Sequence, residues 1–297
     1  MKVFVTGATG FIGQVTVEEL VCHGHQVVGL ARSDSSAENI KQAGAEVHRG
    51  DIEDIESLRA GAKAADGVVH LAFIHDFSDL VRSFAIDRTA IEAMVHAMVG
   101  TGKPMVIASG TMMLSKGKLG MEDDHAEEDT IFAERAKADE LLKAMSKDND
   151  IRGISIRLPP TVHGIGDKAY VPMLVSMARK NGCAIYIGNG SQRWSAVHRK
   201  DAAVLFRLAL EKGAAGATYH GVSEEGVKVK DIVDIIGKHL QLPVVSQSDK
   251  EAEQTLGFIA QVVSADNPIS SEKTRKELGW EPRQPHLLPD IEANYFS

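Results

Sequence analysis

Short apolar runs alternate with amphipathic stretches through the first half of the chain. Residues 3–5 predict a buried strand, 11–23 a helix ending near Gly24, and 26–30 a second strand. A helix over 33–43 follows, with Ser33 or Asp34 placed to cap it. A strand over 46–48, a short helix over 54–60, a strand over 67–72 and a long helix over 78–99 continue the alternation. A strand over 105–109, a helix over 131–146 and a strand over 151–158, stopped by Pro159 and Pro160, complete it. Alternating strands and helices with short links imply an α/β fold of the Rossmann type: a doubly wound parallel sheet covered on both faces.

Beyond Pro160 the pattern loosens. Helices are expected over 171–180, 200–211, 231–240 and 271–278, with a strand over 184–187 and another over 218–221 returning to the main sheet. The expected division is a dinucleotide-binding domain over 1–160, joined again by 188–221, and a smaller C-terminal substrate lobe from 161–187 and 222–297. The acid-rich stretch 117–130 reads as a mobile surface loop near the strand ends.

The chain has 297 residues and a formal charge of −8, without the basic stripe that a nucleic-acid binder needs. No apolar run reaches membrane-span length, so no membrane partner is expected. Cys22 and Cys183 stand apart with no metal-ligand spacing, which points to reduced thiols, no metal and a cytoplasmic setting.

The densest signal is Thr6-Gly7-Ala8-Thr9-Gly10-Phe11-Ile12-Gly13. Gly7 permits a tight turn out of the strand, Gly10 admits a pyrophosphate, and Gly13 allows close helix packing. The helix N-terminus adds amides and partial positive charge. Where an acid would hold a free ribose 2′-hydroxyl, the second strand ends Ala31-Arg32-Ser33. A guanidinium there suits a 2′-phosphate, so NADP(H) is preferred and NAD(H) remains possible. Asp34 has the spacing of the ribose acid but reads as a helix cap. Asp51 and Ile52 suit the adenine amino group and ring.

Together with Val68-Val69-His70-Leu71-Ala72, Arg157 to Gly164, Val197-His198-Arg199-Lys200-Asp201 and Lys273 to Trp280, these motifs resemble the extended or atypical short-chain dehydrogenase/reductases, of the NAD-dependent epimerase/dehydratase type. The resemblance spans nearly the whole chain. It implies cofactor contacts from Gly7, Thr9, Gly10, Phe11, Ile12, Gly13, Arg32, Ser33, Asp51, Ile52, Leu71, Ala72, Phe73, Lys137, Pro159 and Val162. That family uses a Tyr-x-x-x-Lys pair on the helix after the fifth strand. In the matching stretch Lys137 fits, but Ala133 stands at the tyrosine position, and none of the chain's four tyrosines lies in this helix. Ser109 and Thr111, around Gly110, take the place of the hydroxyl that holds a substrate oxygen. His75, just past the fourth strand, is a candidate proton donor. With Thr111, His163 and Trp194 it outlines a substrate site, and Trp194 stands where relatives carry a diphosphate-binding arginine, with Arg193 one residue earlier.

The expected activity is reduction of a small aldehyde or ketone. The alternatives are a non-catalytic NADP(H)-binding regulatory protein and a nucleotide-sugar epimerase or dehydratase. The expected partner is a small carbonyl compound, and a homodimer is left open.

Overall fold

Val3, Phe4 and Val5 carry no exposed surface, and Lys2–Thr6 forms the central strand β1. The computed structural model describes residues 1–76, 79–127 and 133–296. From β1 the chain runs through α1 (Phe11–Cys22), β2 (Gln26–Ala31), α2 (Asp34–Gln42), β3 (Glu46–Arg49), α3 (Ile55–Ala64) and β4 (Gly67–His70). It continues through α4 (Leu80–Met98), β5 (Pro104–Gly110), α5 (Ala133–Asp148) and β6 (Arg152–Leu158). The helices expected from 78 and from 131 therefore begin, among the described residues, at Leu80 and Ala133.

The second half contributes β7 (Thr161–His163), α6 (Tyr170–Asn181), β8 (Ala184–Ile187), β9 (Arg193–His198), α7 (Arg199–Lys212) and β10 (Thr218–His220). It ends with β11 (Glu224–Lys228), α8 (Val229–Leu240), β12 (Val244–Gln247), α9 (Asp249–Leu256), α10 (Ile259–Val263), α11 (Glu272–Leu278) and α12 (Leu287–Asn294).

Seven parallel strands make one sheet in the order β10-β6-β5-β4-β1-β2-β3. The order reverses beside β1, which opens a crevice at the carboxyl ends of β1 and β4, where ligands bind in such sheets. Residues 218–220 do return to the main sheet, beside β6. One face is covered by α1, α2 and α7, whose Leu205, Phe206 and Leu210 pack with Val69, Val106 and Ile154. The other is covered by α3, α4 and α5. A second core joins α6, α8, β8 and β9 around Trp194, Ile232 and Ile236. None of the described helices is long and apolar enough to cross a membrane.

The stretch 117–127 is tied down rather than mobile. Glu122 is buried and accepts hydrogen bonds from the Thr274 amide and hydroxyl, both at 2.8 Å. Gly120 bridges Ile269, and Lys273 pairs with Asp123. Residues 128–130 lie outside the described ones. Charge alone suggested a solvated loop; the partners that pin it come from the far end of the sequence.

Next to this strap His220, at the end of β10, is fully buried and holds the Ser270 carbonyl through Nδ1 at 2.8 Å. Lost hydration first, and the cations of Arg157 and Lys273, push its pKa down to about 3 from 6.5, against the Ser270 bond and Asp124. Between those values the unfolded chain holds a proton that the folded chain excludes, so stability falls as pH falls through that window. The full loss for one such group, reached below the folded value, is up to about 5 kcal/mol. Urea denaturation from pH 7 to pH 4 should show this acid loss in the wild type and a flatter profile in His220→Asn.

Candidate functional site

The turn between β1 and α1 is built around missing side chains. Gly7 has φ +66°, and a Cβ there would lie 2.6 Å from the Ala72 amide nitrogen. A Cβ on Gly10 would stand 3.1 Å, and one on Gly13 1.9 Å, from the Gly7 carbonyl oxygen. No side chain caps α1 at Gly10. Its first amides are thus left for an outside acceptor, with the helix dipole behind them. This cradle fits a dinucleotide diphosphate.

At the end of β2, Ala31 is buried and Arg32 is exposed with no ion pair among the described residues. The cap of α2 is Ser33, whose Oγ accepts from the Ser36 amide at 3.1 Å. Asp34 is therefore not the cap; it is the first helical residue and pairs with Arg49 at the end of β3. Beyond β3, Asp51 accepts from the Glu53 amide at 3.1 Å, Asp54 caps α3, and Ile52 is largely buried against that face of the sheet.

A buried polar chain leads from the turn to α5. The Ala72 amide donates to Thr6 Oγ1 at 3.2 Å, and Thr6 Oγ1 meets His70 Nδ1 at 2.7 Å. His70 Nε2 lies 3.2 Å from Asp87 Oδ1, and Arg135 Nη1 donates to Asp87 Oδ2 at 2.6 Å. A donor order from amide to hydroxyl to imidazole to carboxylate satisfies every member. Burial pushes the Asp87 pKa up, but the Arg135 cation and the His70 bond outweigh it and hold it below its usual value. Arg135 also donates to the Ala108 carbonyl and lies 4.7 Å above the Phe73 ring. Phe73 in turn meets the His75 ring edge-on at 5.1 Å. Although His75 reaches the surface, lost hydration and the nearby Arg135 cation lower its pKa, against a bond to the Phe73 backbone. Ser109, one residue beyond Ala108, has a buried hydroxyl with no partner among the described residues.

Arg135, Asp87, Phe73, His75 and Ser109 thus gather around the carboxyl ends of β4 and β5. Sequence reasoning missed Arg135 and Asp87. The readable signal was a charged residue on the helix face that also carries Ala138 and Leu142, both buried.

Four expected site residues lie elsewhere. Lys137 is on the outward face of α5 and pairs with Glu134. Thr111 is buried in a closed exchange with Asn267: Oγ1 donates to Oδ1 at 2.8 Å and Nδ2 donates to the Thr111 carbonyl at 3.1 Å. His163 is buried against Asp290, with Nδ1 to Oδ2 at 2.7 Å. Trp194 is a core residue with no exposed surface, its Nε1 bonded to the Val262 carbonyl at 2.9 Å. Strand pairing explains the last two, because β7 and β9 turn alternate residues inward. Pro159 is buried and Val162 half-buried beside them. Arg193 is bound in a fork to Asp266 at 2.7 and 2.9 Å.

Residues 3–222 match the NAD dependent epimerase/dehydratase family. An uncharacterized protein of Saccharomyces cerevisiae is 47% identical over 297 residues, covering 99% of each chain. The sterol-4-alpha-carboxylate 3-dehydrogenase, decarboxylating, of Dictyostelium discoideum is 28% identical over 243 residues, covering 77% of this chain and 73% of its own. Among solved structures, the UDP-glucose 4-epimerase of Thermotoga maritima with UDP-glucose superposes with a TM-score of 0.76 at 20% identity, covering 100% of this chain and 98% of the other.

Proposed function

Because the chain belongs to the NAD dependent epimerase/dehydratase family, we propose that it is an NADP(H)-dependent oxidoreductase that reduces a small aldehyde or ketone. The observation that carries this reading is the Arg135 guanidinium fixed to Asp87 and to the Ala108 carbonyl, with the unpartnered Ser109 hydroxyl one residue further along β5. In this reading Arg135, rather than Lys137, takes the place of the family's lysine. The residue four places before it is Ile131, outside the described residues, so neither register supplies a tyrosine.

Bound NADPH would supply the hydride. Ser109 would donate a hydrogen bond to the substrate oxygen, and Arg135 would favour the negative charge developing there. His75, kept largely neutral at pH 7 by its surroundings, would relay a proton from water to that oxygen. The sugar-nucleotide alternative is disfavoured because Arg193 is committed to Asp266 and Trp194 to the core.

Turnover should be followed as nicotinamide oxidation with aldehydes, ketones and nucleotide sugars, each with NADPH and NADH. Saturable oxidation by a carbonyl compound supports the reading. Tight cofactor binding with no turnover across the panel favours the regulatory binder. Arg32→Ala should weaken NADPH at least 10-fold while leaving NADH within about twofold, the loss of one charge-assisted phosphate contact. Equal losses for both cofactors would remove Arg32 from the 2′-phosphate site.

A further inference from the structure

A second arginine lies at the glycine turn, and it comes from the far half of the chain. Arg199 opens α7, and its guanidinium carbon sits 5.0 Å from the centre of the Phe11 ring. Nη1 makes a long contact of 3.4 Å to the Phe11 carbonyl, and no carboxylate pairs with it among the described residues. Eight residues further along both helices, Arg207 bonds Glu19 at 2.7 Å. The equal spacing of these two contacts means that α1 and α7 run side by side in the same direction. Both N-termini therefore open at the carboxyl end of the sheet.

The stem of Arg199 is held as well. Gly164 has φ +134°, and a Cβ there would come 3.2 Å from Arg199 Cγ and 3.0 Å from His198 Nε2. The loop after β7 therefore packs directly on the arginine that lies over Phe11. A guanidinium with one weak backbone contact, stacked on an aromatic ring, keeps most of its donors for an anion.

We propose that Arg199 binds the diphosphate of the dinucleotide, closing over the side of the α1 turn that the glycine amides leave open. This rests on the cofactor reading above and deepens it. Arg32 would choose between cofactors at the ribose phosphate; Arg199 would act on the diphosphate that both cofactors share.

The test is equilibrium binding by fluorescence or calorimetric titration, with no turnover required. Arg199→Met keeps the aliphatic stem on Phe11 and beside Gly164 while removing the charge. It should raise the Kd for NADPH, NADH and ADP-ribose by a similar factor, about 10- to 100-fold. Its affinity for adenosine, which has no phosphate, should stay at the wild-type value, and the salt dependence of NADPH binding should become shallower. Arg199→Lys should recover part of the loss. An unchanged NADPH Kd in folded Arg199→Met, or an equal loss for adenosine, overturns the proposal while the cofactor reading stands. Failure of the wild type to bind NADPH, NADH or ADP-ribose overturns both.

Discussion

Gly13→Ala is expected to lower dinucleotide affinity at least 100-fold and to destabilise the fold. The new methyl group would stand 1.9 Å from the Gly7 carbonyl oxygen and 2.8 Å from its carbon. Both are backbone atoms, so no side-chain rotation relieves the clash. The turn must retreat by roughly 1.5 Å or more to reach ordinary contact, which separates the α1 amides from the position that β1 sets for them. Gly7 itself cannot yield, because it is already packed against the backbone of Leu71 and Ala72. Overpacking of this kind reaches about 3 kcal/mol or more. Gly10→Ala, whose methyl group would stand 3.1 Å from the same oxygen, should be milder in both respects. Thermal unfolding and NADPH titration of the two variants check this. A folded Gly13→Ala protein with wild-type affinity would remove the turn from the binding site.

Arg135→Met should cost about 3–5 kcal/mol of stability and most of the activity. Asp87 is 1% exposed, and Arg135 is the permanent cation that compensates its charge. Without it the carboxylate keeps only its His70 bond in a dry site. The effect has a pH signature. In the wild type Asp87 has a lowered folded pKa, so its contribution is present above the ordinary carboxylate value and lost as pH falls through the folded one. In Arg135→Met the stranded carboxylate takes up a proton more readily, so the deficit relative to wild type should shrink as pH falls from 7 towards 4. The double variant Arg135→Met/Asp87→Asn should recover much of the stability without the activity. Denaturation midpoints across pH for the three variants decide the matter. A deficit that does not change with pH and is not rescued by Asp87→Asn would mean that the guanidinium acts through packing alone.

The alternation of apolar runs made the parallel sheet legible from sequence, because strands buried on both faces leave little choice of residue. The glycine turn was legible for a similar reason, since contacts as close as those at Gly7 and Gly13 admit nothing larger. The reactive end was harder to read. Thr111 and His163 carry suitable chemistry at suitable places in the sequence, yet Asn267 takes up the Thr111 hydroxyl and Asp290 holds His163 Nδ1, each from more than 120 residues away. Arg135 was hidden by the opposite effect: a charged residue on a polar helix looks solvated until Asp87 and the Ala108 carbonyl are known to face it. Trp194 became a core residue once β9 was seen to pair with β7 and β11. Long-range partners decided each of these outcomes, and local pattern does not carry them.

The placement of α7 and β10 has a consequence for synthesis on the ribosome. When residue 158 has emerged, six strands of the sheet are available, but the apolar face over β4, β5 and β6 still lacks Leu205, Phe206 and Leu210. The outer edge of β6 also lacks its partner until residues 218–220 arrive. A nascent chain stalled between these points would expose a greasy sheet face and an open strand edge together, the combination most prone to aggregate. The sheet can close only after about sixty more residues have been translated, so the first half of this polypeptide waits for the second before it is safe.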